Sequence, residues 1–137
     1  MLDLAAEARQ VLASEGNAGT LMADRVARAC KRVTVHLARL VGVTGIHTLF
    51  HRSLVISSVR YPWLMAAGGK GGLGDDPFES LRMRLVPQDT EAVSDAFALV
   101  LSTYVGLLAR LIGEALVRRL LHEVWPTVFP DVAKETP

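Results

Sequence analysis

The sequence predicts an all-α protein, a bundle of four principal helices around a long and almost wholly apolar C-terminal helix. Three observations predict it. Apolar residues recur at spacings of three and four over most of the chain. Half of the 137 residues are hydrophobic but only 6% are aromatic, a Leu-, Val- and Ala-rich composition that suits packed helices better than a sheet. Finally, Asp89–Trp125 contains no proline, begins with Asp89, Glu91 and Asp95, and ends with Arg118, Arg119 and His122. Acids at the start and bases at the end complement the helix dipole.

The first element is a short amphipathic helix over Leu2–Ser14, with Leu4, Ala5, Ala8, Val11 and Leu12 on one side, stopped by the turn at Gly16 and Gly19. Thr20 is a usable cap for the second helix, which runs to about Val41. Its expected core stripe is Met22, Val26, Ala29, Val33, Leu37 and Leu40, with Cys30 as a small buried hydrophobe beside it. Gly42 and Gly45 then weaken the helix: either it ends there and Thr44 caps a new one, the favoured reading, or one long helix passes through with a weak point. The third helix covers Ile46–Val59, with Ile46, Leu49, Phe50, Leu54 and Val55 inward, and must stop before Pro62.

Trp63 and Leu64 should tuck back onto the bundle. Ala66–Pro77 holds five glycines and reads as a mobile loop, followed by a short helix over Pro77–Leu85 that Asp75 or Asp76 would start. The long helix Asp89–Trp125 would span roughly 50 Å at 1.5 Å per residue. Beyond Pro126 the chain reads as an irregular tail. No internal repeat is evident. The whole chain is one helical domain.

Composition narrows the function. With 15 basic and 14 acidic residues the net charge is +1, which implies no polyanionic partner, although residues 1–60 hold 8 Lys/Arg against 4 Asp/Glu. The single cysteine cannot form an internal disulfide, and no basic stretch followed by an apolar one opens the chain, so a cytoplasmic setting is expected. Mean hydropathy is +0.30, yet Arg110 and Glu114 interrupt the apolar run after Ala109, so no membrane span is expected.

Four constellations could carry chemistry. His47 and His51 are four apart, one face of a helix and a spacing found in zinc sites, but no Glu follows the first and no second cysteine completes a set. They read more simply as exposed polar residues. Ser102, Gly106 and Gly113 form a small-residue strip on the long helix, where a neighbouring helix could approach closely. An added methyl at Gly106 or Gly113 would then clash. Arg110 and Glu114 lie beside the strip and could line a polar pocket in which Arg110 holds an anion, although with Arg118 they also read as an ion-pair chain. Arg25, Arg28, Lys31, Arg32 and Arg39 form a basic face on the second helix that could follow a phosphate backbone, although without interleaved aromatics it reads first as a solvated face.

These observations favour a non-enzymatic interaction module that acts by protein–protein contact and self-associates as a homodimer. The physical reason is surplus: the long helix has more apolar surface than its shorter companions can cover. A ligand-sensing bundle that holds a small anionic or apolar molecule near Arg110 is the second reading, and nucleic-acid binding through the basic face is a less favoured third. Neither a catalytic residue nor a cofactor is expected.

Overall fold

The computed structural model describes residues 4–17, 19–65 and 76–130. Six helices are present among them: α1 (Ala5–Ser14), α2 (Met22–Val41), α3 (Val43–Ser57), α4 (Pro77–Leu85), α5 (Thr90–Ile112) and α6 (Glu114–Val124). A 3-10 turn at Pro62–Leu64 follows α3 and seals Leu64 into the core. The described residues contain no strand, so the all-α class is correct. Most of the expected glycine-rich loop, residues 66–75, and the tail after Pro130 lie outside the described residues.

The expected long helix is divided. Gly113 ends α5 and starts α6 with φ +94° and ψ +147°, a region essentially reserved for glycine. Gly42 does the same between α2 and α3, with φ +94° and ψ +151°. In each case the glycine N–H donates back one turn, to Ala38 O or Ala109 O at 2.9 Å. Its carbonyl then accepts from Ile46 N at 3.0 Å or Val117 N at 3.2 Å. One residue thus closes a helix and opens the next with both of its backbone groups paired. Thr44 lies inside α3 and is not its cap, because the helix has already begun at Val43.

These breaks expose an internal repeat, contrary to the reading from sequence. Leu37–Gly42 reads LARLVG and Leu108–Gly113 reads LARLIG. Around them the helices follow the same short–long–short order, with lengths of 10, 20 and 15 residues, then 9, 23 and 11. Buried positions match at the same offset: Val26 with Phe97, Cys30 with Leu101, Leu37 with Leu108, Ile46 with Val117 and Phe50 with Leu121. The halves exchange their short first helices, since α1 packs on α5 and α4 packs on α2. Each long helix also packs on the third helix of its own half, and α1 touches α2 as well, so the core draws on both halves.

At the centre, α2 crosses α5. Thr34 and Tyr104 share a buried hydroxyl–hydroxyl hydrogen bond of 3.1 Å, and Tyr104 stacks at 5.5 Å on Phe50 of α3. Phe50 in turn meets Phe78 of α4 at 5.3 Å. Three local expectations fail at the edges of this core. Leu40 and Val55 are exposed, because the break at Gly42 and the path of α3 turn them outward. The second helix has Leu21 at its N-cap, because the Thr20 hydroxyl bonds Asn17 instead. Past the expected end of structure, Val128 and Phe129 are buried, and the Phe129 carbonyl lies 2.7 Å from His122 Nδ1. Two acidic residues cap helices, Asp76 rather than Asp75 for α4 and Asp89 for α5. Asp89 accepts from Glu91 and Ala92 N–H at 3.1 and 3.3 Å, and Asp76 accepts from Phe78 N–H at 2.9 Å.

Candidate functional site

The basic face of α2 divides into residues that hold the fold and residues that do not. Arg25 donates to the carbonyls of Leu12 and Asn17, and Arg28 donates to Glu15 O at 3.2 Å. Arg32 Nε sits 3.0 Å from the Glu15 carboxylate. Three of the five bases therefore clamp the turn between α1 and α2. Spacings of three and four put them on one stripe, and that stripe faces the unpaired carbonyls at the end of α1. Lys31 and Arg39 have no hydrogen-bond or ion-pair partner among the described residues and are exposed.

Glu15 is the residue that sequence reasoning missed. Its side chain is 3% exposed, yet it receives Arg32 on one side and the Trp125 indole N–H, at 2.9 Å, on the other. A carboxylate this buried requires both partners. No local signal marks it, because a Glu before Gly16 looks like any turn residue and its partners are remote in sequence.

Beside this clamp, α2 and α6 form an open cleft of about 500 Å³, lined by the basic face of α2 and by Glu123 and Val124 of α6. His36 spans it to Glu123 at 2.7 Å. Val35, 56% exposed, forms the apolar part of the α2 wall.

The remaining candidates are dispersed. His47 and His51 line a shallow hollow on α3 with Val43, Thr44 and Thr48, and the His47 ring meets Phe78 edge-on at 6.1 Å. His36 is engaged by Glu123, and no group of three or more His, Cys, Asp or Glu is poised for a metal among the described residues. Arg110 is exposed at the end of α5. The Gly113 break separates it from Glu114, which pairs with Arg118 at 3.1 Å, so only the second link of the expected ion-pair chain forms.

The small-residue strip is also altered. Ser102 accepts from Leu4 N–H at 3.1 Å and so seats the start of α1. A Cβ at Gly106 would meet nothing within 4 Å, and the same holds at Gly113, which serves the helix break. Among the described residues, no helix packs closely on either glycine.

Buried ionisable groups cluster at the α2–α5 crossing. Burial pushes the Cys30 thiol up to about 12. Burial also raises the Tyr104 hydroxyl above its ordinary value, partly offset by the Thr34 bond. A thiol held neutral in this way is a poor nucleophile, in keeping with a packing role.

Comparison with known proteins yields no matching family, no matching curated sequence and no matching solved structure.

Proposed function

We propose that this chain is a helical protein-interaction module that pairs with a second copy of itself along the outer face of α5. The observation that carries the reading is the open space over Gly106. Leu99, Thr103, Gly106 and Arg110 recur at helical spacing on the side of α5 turned away from the core, and the first three are only partly buried. A glycine at the middle of such a face lets a second helix backbone come close, and the flanking Leu99 and Leu107 supply apolar area.

The hydropathy of α5 supports the same reading. By length and composition the helix could cross a membrane, with a window of mean hydropathy 1.7, yet only 44% of that window is buried within the chain. In a water-soluble protein such surface calls for a partner.

Sedimentation velocity at micromolar concentration tests the proposal. A dimer is expected, and Leu99→Glu or Gly106→Leu should convert it to a folded monomer. A compact monomer at every concentration overturns the reading. Partition of the wild-type chain into lipid vesicles would instead assign the same face to a membrane.

A further inference from the structure

We infer that the cleft between α2 and α6 docks an acidic amphipathic helix of a partner protein. This surface is separate from the outer face of α5 but structurally related to it. At the repeat offset, Arg28, Arg32, Val35 and Arg39 of α2 are the counterparts of Leu99, Thr103, Gly106 and Arg110 of α5. One structural position is thus used twice: Arg28 and Arg32 of α2 give way to Leu99 and Thr103 on α5, while an arginine stands at the end of both.

The cleft is open because the repeat is unequal there. In the first half α3 has 15 residues and lies along α5, whereas its counterpart α6 has 11 and touches α2 over a shorter length. What α6 leaves uncovered on α2 is Lys31, Val35 and Arg39, one turn apart each. Lys31 and Arg39 lie about 12 Å apart along the axis, from the rise per residue.

The occupant follows from what is free and what is not. Arg28 donates to the Glu15 carbonyl and keeps its charge, whereas Arg32 is paired with the Glu15 carboxylate and His36 with Glu123. Lys31 and Arg39 are the cations with no partner among the described residues, with the exposed Val35 between them and Val124 on the facing wall. A helix with two acids two turns apart and an apolar residue midway would place its carboxylates on Lys31 and Arg39 and its apolar side chain against Val35 and Val124. A phosphate backbone fits less well. The described lining contains no Phe, Tyr or Trp on which bases could stack, and a phosphate backbone would leave Val35 and Val124 without an apolar partner.

The test uses the full chain and a fluorescent synthetic amphipathic helix bearing two Glu residues two turns apart around a central Leu. Anisotropy should show saturable binding that weakens with salt and falls by about tenfold or more in Lys31→Glu/Arg39→Glu. A companion peptide with Lys in place of both Glu residues should bind that variant better than it binds the wild-type chain. Both substitutions are at exposed, unpaired positions, and circular dichroism checks that the variant stays folded. Leu99→Glu should retain full peptide binding, which separates this site from self-association through α5. The inference is overturned if the acidic peptide does not bind, if it binds the double variant equally well, or if duplex DNA binds more tightly than the peptide in a Lys31- and Arg39-dependent manner.

Discussion

The indole N–H of Trp125 donates to the Glu15 carboxylate at 2.9 Å across 110 residues of sequence, joining the turn after α1 to the end of α6. Arg32 completes the junction from α2. Three helices are therefore fastened through one nearly buried side chain. A hydrogen bond to a charged group contributes about 1.5–3 kcal/mol, and an orphaned buried partner adds a penalty of its own. Glu15→Ala should destabilise the protein by about 2–3 kcal/mol in urea unfolding. Trp125→Phe, which leaves Arg32 in place, should cost less than Trp125→Ala. A Glu15→Ala loss under roughly 0.5 kcal/mol would show that the junction contributes little.

The glycines should respond in opposite directions. Gly42 and Gly113 hold φ +94°, so an alanine at either is strained even though space is open around it, at about 1–3 kcal/mol. Gly106 is helical and unobstructed, so in the monomer Gly106→Ala should gain up to about 1 kcal/mol from helix propensity. Urea midpoints at low protein concentration would report this. Equal effects at all three positions would contradict the observed break.

Ser57 is fully buried at the end of α3, and its hydroxyl has no hydrogen-bond partner among the described residues. Its counterpart in the second half is the apolar Val128. Ser57→Ala removes an unpaired polar group and should raise stability by on the order of 1 kcal/mol. A comparable loss would mean that the hydroxyl is in fact satisfied.

The crossing of α2 and α5 should make the protein sensitive to base. The Cys30 thiol ionises near 9.0 in the unfolded chain but at about 12 when folded. Between those values the unfolded state loses its proton first, so stability present below pH 9.0 declines as pH rises towards 12. Tyr104, raised above its ordinary 10.0 by burial, extends the decline in the same direction. Cys30→Ala should flatten the first part of that decline in pH-dependent urea unfolding, even though its cavity lowers stability at neutral pH. In the wild type, thiol reagents should modify Cys30 only as fast as the protein opens. Rapid modification under native conditions would place the thiol nearer the surface than it lies here.

Much of the helical pattern was legible in the sequence because it rests on short-range interactions. Asp76 and Asp89 cap their helices through N–H groups two or three residues away, and the stripe from Val26 to Leu37 follows from helical period alone. The break at Gly42 was readable because a second glycine stands nearby. Gly113 has no such neighbour, and the long apolar run around it concealed the same turn.

The basic face was legible as a stripe, but its use was not. Whether an arginine meets solvent, a ligand or a carbonyl depends on where the end of α1 lies, and that is set by packing between the two halves.

By itself, then, the sequence determined the all-α class, the acidic caps and the main buried stripes, since each is fixed by residues within a turn or two. Only the tertiary structure decided that α1 and α4 exchange partners, that Gly113 divides the last helix, and that Glu15 is buried between Arg32 and Trp125. The physical reason is that each of these has a local cost, in backbone conformation or in desolvation of a charge. That cost is met only by contacts between segments far apart in the chain.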